Sequence, residues 1–258
     1  MVSGKRLAML IDGDNAQASL LNEMLAEASK YGVVTIRRVY GDWTESQMKS
    51  WKSILHTHAF QPIQQFRYTV GKNATDSALI IDAMDILYTA GVDGFCLVSS
   101  DSDYTRLATR IREKNLFVMG IGKQNTPRSF VNGCDVFVYT ENLVTQPITT
   151  PRRVKPSRTA DSSHAEPTPI VNDGDEPDLY QMFRTAFELA MQENGWAHLG
   201  NLGSRLRQLD PGFDPRTYGH KQLSMLVQAH PEVFEIRKTK KTKTGPGGIY
   251  VRLKERTS

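Results

Sequence analysis

Cysteine is scarce in this chain, with only Cys96 and Cys134 among 258 residues. Both fall in apolar segments, and neither has the spacing of a zinc site or a disulfide framework. They are expected as buried thiols. Long apolar runs are also missing: none approaches the roughly 20 residues needed to cross a bilayer. At the N-terminus, Met1-Val2-Ser3-Gly4-Lys5-Arg6 runs straight into an apolar segment. That leaves no room for the apolar region and cleavage site of a signal peptide. The expectation is a cytoplasmic chain with no membrane partner. Excess charge of either sign is absent from residues 1–143, which hold 15 Lys+Arg and 15 Asp+Glu. Residues 144–177 hold 4 and 5, and residues 178–258 hold 13 and 8. The net charge of +4 therefore sits at the C-terminal end. By itself such a mild excess is a weak pointer to nucleic acid.

Within residues 1–143, strand and helix patterns alternate. Strands are expected over 6–11, Val33–Tyr40, Phe60–Phe66, Phe95–Val98, Phe117–Ile121 and Val136–Tyr139. Between them, helices are expected over Ala16–Tyr31, Glu45–His58, Ala74–Ala90, Tyr104–Lys114 and near Thr126–Asn132. Repeated units of this length imply an α/β fold, a parallel sheet covered by helices on both faces in three layers. Residues 144–177 change character, with six of the twelve prolines among Ser, Thr, Asp and Arg. This segment is expected to be a flexible linker that lets its flanking domains move. Residues 178–258 then suggest Asp178 as the N-cap of a helix through Gln192, helices Leu199–Leu209 and Lys221–Ala229, and strands Val233–Thr239 and Ile249–Leu253. Three helices followed by a hairpin outline a winged helix-turn-helix.

Two acidic stretches close apolar strands: Ile11-Asp12-Gly13-Asp14-Asn15 and Ser99-Ser100-Asp101-Ser102-Asp103. In an open α/β sheet the functional crevice lies beyond the carboxyl ends of the strands, so both stretches are expected to open into it. Carboxylates gathered there repel one another unless a cation intervenes, and hard oxygen ligands suit Mg²⁺ or Mn²⁺. Asp12 is the most specific candidate. Gly13 lets the chain turn sharply, and Asn15 either caps the next helix or holds a carboxylate. Asp76 opens the helix at Ala74 on the face shared with Ile80, Ala83 and Leu87, as an internal cap or as a ligand. Asp82 and Asp85 are expected in solvent. Asp101 is the expected ligand and Asp103 the expected cap of the next helix, while Ser99 and Ser100 are placed to support the carboxylates or a water. Lys72, Arg106 and Lys123 are candidates for phosphate contact, with solvated surface charge as the alternative for each. Together these residues point to metal-dependent phosphodiester chemistry with no covalent nucleophile.

The order Ile-Asp-Gly-Asp-Asn, then Gly71-Lys72-Asn73-Ala74-Thr75-Asp76, then Val-Ser-Ser-Asp-Ser-Asp-Tyr resembles the NYN domain, which is similar to PIN-type ribonucleases. The resemblance covers roughly residues 5–143. It implies a Rossmann-like fold and divalent-metal-dependent cleavage of RNA. Asp12, Asp76, Asp101 and Asp103 fall on the family's acidic positions, as catalytic residues and metal ligands, and Asn15 on its polar supporting position.

Further along, Arg237, Lys238, Lys240, Lys241 and Lys243 place five positive charges in seven residues beside a Gly/Pro turn. In a winged helix this is the wing, where such residues reach a nucleic-acid backbone. A charged tip that blunts a sheet edge is the alternative. Trp196, Tyr218 and Tyr250 are expected in the core. Leu199–Leu206, Phe213–Gly219, Leu223–Leu226 and Gly248–Leu253 resemble the LOTUS, or OST-HTH, module over roughly 178–255. That resemblance implies RNA binding or, in some relatives, docking to a helicase. The expected function is a metal-dependent ribonuclease with a C-terminal RNA-binding module. Its rivals are a non-catalytic RNA-binding adaptor and a phosphatase of the haloacid dehalogenase type, whose Asp-x-Asp pair Asp12 and Asp14 would mimic.

Overall fold

A computed structural model describes residues 4–66, 74–144, 179–239 and 248–254. The expected linker and its Asp178 cap, together with Lys72, Lys240, Lys241, Lys243 and most of the hairpin turn, lie outside the described residues.

Strand β1 (Arg6–Asp12) is the centre of the molecule, buried from Leu7 to Asp12. Its side chains alternate between two cores, as the pleat requires. Leu7, Met9 and Ile11 face one helical layer, and Ala8 and Leu10 face the other. A strand apolar on both faces belongs in the middle of a parallel sheet. On one side of it lie α1 (Leu21–Ser29), β2 (Val33–Gly41), α2 (Lys49–Leu55) and β3 (Gln61–Gln64) in chain order. Next come α3 (Ala74–Thr89), β4 (Gly94–Val98), α4 (Thr105–Glu113), β5 (Phe117–Gly122), α5 (Arg128–Gly133) and β6 (Val136–Tyr139). The six strands run parallel in the order β3-β2-β1-β4-β5-β6. Helices α1 and α2 contribute Leu21, Met24, Trp51 and Leu55 to the first core. Helices α3, α4 and α5 contribute Leu79, Ala83, Leu107, Ile111 and Phe130 to the second. Cys96 and Cys134 are buried free thiols, and burial pushes both thiol pKa values up.

The strand order reverses direction between β1 and β4, the switch point where such sheets open a crevice. Register places Ile11 opposite Val98, so Asp12 and Ser99 leave the sheet side by side. The helix expected from Ala16 begins later, as a turn at Ala18–Leu20 followed by α1. The amides of Asn15 and Ala16 both donate to the Asp12 carbonyl, wrapping the intervening residues into a loop. Gly13 is obligatory there: a Cβ would lie 2.7 Å from Met48 Cε and 2.8 Å from the Tyr40 carbonyl.

The second unit comprises α6 (Leu179–Ala190), β7 (Ala197–His198), α7 (Leu199–Leu209), α8 (Leu223–Ala229), β8 (Phe234–Thr239) and β9 (Gly248–Leu253). Its antiparallel sheet has the order β7-β9-β8. Met182, Phe183, Leu202, Leu206, Phe213, Leu226 and Val251 fill its core. The two units touch directly. The Phe137 amide on β6 donates to the Pro211 carbonyl at 2.8 Å. The Arg216 guanidinium bridges Asp214 and the buried Glu27 of α1, the latter at 2.7 Å. Asn142 Nδ2 donates to Thr217 Oγ1 at 2.9 Å, and Arg128 pairs with Asp210 at 3.3 Å. Asp214 holds the Arg216 pKa well above its ordinary value, so this clamp keeps its charge.

Candidate functional site

Asp12 ends β1 with its side chain fully buried. Its Oδ2 accepts from Asn15 Nδ2 at 2.7 Å and from Ser99 Oγ at 3.0 Å, while Oδ1 accepts from the Asp14 amide at 3.2 Å. Each of these bonds favours the ionised form. Burial nonetheless outweighs them, with the Asp76 and Asp14 charges adding to it, and the Asp12 pKa is pushed up to about 6. A shift of about two units corresponds to about 3 kcal/mol of penalty on the carboxylate at neutral pH.

Asp76 lies in the first turn of α3, on a buried face with Leu79, Ala83 and Ile86. Ile80 and Leu87, expected on that face, are only partly buried against the core. The Tyr104 hydroxyl donates to Asp76 Oδ1 at 2.6 Å. Burial raises the Asp76 pKa, and Asp101, Asp103 and Asp14 raise it further. The fold thus brings Asp12 and Asp76 into one electrostatic cluster with these three acids. Asp14 is held from two sides: Oδ1 accepts from Gln47 Nε2 at 2.8 Å and Oδ2 from Thr75 Oγ1 at 2.9 Å.

The acids after β4 exchange their expected capping roles. Asp101 is the N-cap of the turn Ser102–Tyr104, its Oδ1 accepting from the Asp103 amide at 2.9 Å, and Asp103 is exposed. The turn begins at Ser102, two residues too early for Asp103 to cap it. Ser99 supports Asp12, as expected, and also accepts from the Asp101 amide at 3.2 Å. Ser100 instead ties the β4 and β5 loops together by accepting from the Lys123 amide at 2.8 Å. Arg106 and Lys123 are exposed. Asp82, expected in solvent, is engaged by the Arg38 guanidinium and the Tyr40 hydroxyl. It lies one turn and a half beyond Asp76 on α3, facing β2, where those two residues await a partner.

Sequence reading missed Tyr104, Thr75 and Gln47. Tyr104 had a signal: as the N-cap of α4 it continues the core face of Leu107, Ala108 and Ile111, where a buried tyrosine hydroxyl needs a partner. Thr75 and Gln47 had none, since their partner comes from a distant loop.

The carboxylate donors are hard oxygens suited to Mg²⁺ or Mn²⁺. Among the described residues, however, no three His, Cys, Asp or Glu side chains stand close enough to hold one ion together. The chemistry of the donor set fits a divalent cation, while its spacing requires the side chains to draw inward. A groove lies elsewhere, between the two units. It measures about 630 Å³ and mixes Glu27 and Asp214 with Arg207, Arg216 and Lys221. That groove carries the cations Lys30, Arg207, Arg216 and Lys221 against the acids Glu27 and Asp214, whereas the groups converging at the strand ends are all acids.

On the second unit, Arg237 and Lys238 are exposed on β8. Trp196 is buried as expected, but under two cations: the Arg237 and Arg252 guanidinium carbons lie 4.7 and 5.0 Å from its ring centre. No described helix is long and apolar enough to cross a membrane.

A solved structure of a protein of unknown function from Vibrio parahaemolyticus RIMD 2210633 is 21% identical to the chain. The match covers 54% of this chain and 94% of that one, with a TM-score of 0.46. An uncharacterized protein from Nitrosomonas europaea is 30% identical over 39% of this chain and 96% of its own, with a TM-score of 0.29. A Chromobacterium violaceum protein is 31% identical over 31% of this chain and 84% of its own, with a TM-score of 0.25. No curated protein matches. An OST-HTH/LOTUS domain matches residues 176–245. The NYN domain matches residues 6–142, more than half of the sequence, and the chain belongs to the NYN family.

Proposed function

We propose that the chain is a divalent-metal-dependent ribonuclease that hydrolyses RNA phosphodiester bonds and holds its substrate through the C-terminal domain. NYN domains are PIN-like nucleases and LOTUS domains bind RNA, which supports the general class. The observation that carries the finer reading is Asp12, a buried carboxylate at the sheet's switch point with its pKa raised to about 6. A fold maintains such a charge against burial and neighbouring acids when a cation is to be held there.

Asp12, Asp76 and Asp101 are the residues that would hold Mg²⁺ or Mn²⁺, with Asp103 at the exposed rim. A bound divalent cation supplies a hydroxide at neutral pH and neutralises charge on the scissile phosphate. The chain's own part is orientation. Asn15 and Ser99 fix one oxygen of Asp12, and Tyr104 fixes one oxygen of Asp76. Lys72, beyond the described residues, and Lys123 at the rim are the candidates for phosphate contact. Arg237 and Lys238, with Lys240, Lys241 and Lys243 in the hairpin, would hold the RNA backbone.

Asp14 argues against the phosphatase alternative. A group that must donate a proton to a leaving oxygen needs freedom, and both Asp14 oxygens are engaged by Gln47 and Thr75. The test uses end-labelled single-stranded and hairpin RNA with Mn²⁺ or Mg²⁺, with EDTA and Asp101→Asn as controls. Metal-dependent cleavage lost in the variant is the expected result. Tight RNA binding without cleavage, unchanged in the variant, would move the chain to the adaptor class. The cytoplasm is the proposed compartment.

A further inference from the structure

The outward face of the small sheet brings arginines and aromatic rings together. Along β8 and β9, Phe234, Ile236, Val251 and Leu253 point to the core. Glu235, Arg237, Tyr250 and Arg252 alternate with them and point outward. Register pairs Arg237 with Tyr250 and Glu235 with Arg252, so the two arginines are diagonal neighbours. Trp196, in the bend just before β7, reaches over this diagonal. Arg237 also lies 5.8 Å from the Tyr250 ring centre, and His198 meets Tyr250 edge-on at 5.3 Å. Arg252 is paired with Glu235, the one acid of the patch. Among the described residues Arg237 has no acidic partner; its recorded contacts are the two rings, and it is exposed.

We infer that this Arg237–Trp196–Arg252 face is a binding platform for single-stranded RNA, reading base faces and phosphates together. The inference rests on reading the C-terminal domain as the RNA-binding module, and it assigns that role to a sheet face in addition to the hairpin tip. A guanidinium over an indole is attracted by the ring quadrupole, so part of the rotamer freedom of a long cationic chain is already lost before any ligand arrives. Pre-ordering of this kind lowers the cost of binding. The outer side of a guanidinium plane stacks on a nucleobase, and its N–H groups reach phosphate oxygens. Every base offers such a π-face, so the platform tolerates any sequence. The charge agrees: on this face two arginines stand against one acid, and the basic run of the sequence continues into residues 240–243.

The test is anisotropy binding of a short fluorescein-labelled oligouridylate to the full chain across a salt series in EDTA, which blocks cleavage. Arg237→Gln is expected to weaken binding about tenfold and to lower the slope of log K against log salt by about 0.7. Trp196→Leu removes no charge. It is expected to weaken binding by a similar factor with the slope unchanged, because it frees both arginines. Arg184→Gln, an exposed arginine of α6 paired with Glu188, is the charge-matched control and should change affinity less than about twofold. Melting curves establish that each variant is folded; should Trp196→Leu fail to fold, Trp196→Phe and Arg237→Gln carry the test. Wild-type binding with Arg237→Gln indistinguishable from Arg184→Gln overturns the platform alone and leaves the RNA module standing. Absence of wild-type binding at low salt overturns both. If inorganic polyphosphate or oligoglutamate displaces the RNA as well as unlabelled oligouridylate does, the face reads charge only, and base stacking is overturned.

Discussion

In the crevice of the first domain the carboxylates of Asp12 and Asp76 are kept away from water; on the small sheet of the second, guanidiniums are kept in it. Asp12 is held against burial and against its acidic neighbours, and its pKa records that cost. Arg237 is exposed, needs no acid, and rests on two aromatic rings. Buried charge of one sign is costly and position-specific, which suits chemistry at one bond. Exposed charge on an apolar support is inexpensive and repeatable, which suits grip along a polymer. The contrast makes opposite predictions for removing charge from the two places.

The largest effect is expected at Asp12. Asp12→Asn should reduce metal-dependent RNA cleavage on the order of a thousandfold, the several kcal/mol that a held cation contributes. The same variant should melt at a higher temperature than wild type in EDTA at neutral pH, because a penalty of about 3 kcal/mol goes with the charge. A lowered melting temperature in calorimetry would break the contrast at its root. Next comes Tyr104→Phe, which removes the bond to Asp76 and should cost activity about 10- to 100-fold, in the manner of groups that orient ligands. Its effect should appear in kcat rather than KM if Tyr104 only orients Asp76.

Arg216→Gln leaves Glu27 buried beside Lys30 alone and should destabilise the chain by about 1–3 kcal/mol in urea titrations. It should also speed hydrogen exchange at the Phe137 amide. The pH effect draws on the same Asp12 penalty. The folded Asp12 pKa, about 6, lies above its ordinary value of 3.8, so the folded state holds the extra proton between them. The stabilisation is therefore complete below about 3.8 and is lost as pH rises through 6. In EDTA, Asp12→Asn should flatten the stability profile across that window, whereas Arg237→Gln should leave it unchanged.

Much of this contrast was legible in the sequence. The run Leu7–Ile11 reads as a strand apolar on both faces, and helix Leu199–Leu209 coincides with its periodic pattern. The acids after β1 and β4 could be placed in one crevice because strand ends share an edge of the sheet. What stayed hidden depends on long-range partners. Asp82 reads as a solvated helix residue until β2 brings Arg38 and Tyr40 against it. Strand β7 has two residues, too few for any period, and exists because β9 pairs with it. Trp196 reads as core by composition, and its two arginine neighbours come from strands about 40 and 55 residues away, which no local pattern anticipates.

The bond from the Phe137 amide to the Pro211 carbonyl gives the second domain a task unrelated to RNA. Strand β6 ends the parallel sheet, and its outer row of backbone groups is a template on which another chain could assemble. The loop at Pro211 and Gly212 occupies part of that row. Gly212 sits so close to Tyr139 that a Cβ there would come within 2.7 Å of the hydroxyl. The second domain therefore acts as a stopper on an otherwise open polymerisation surface. Cut away from it, the NYN domain should remain folded yet self-associate with rising concentration, a change that light scattering would register directly.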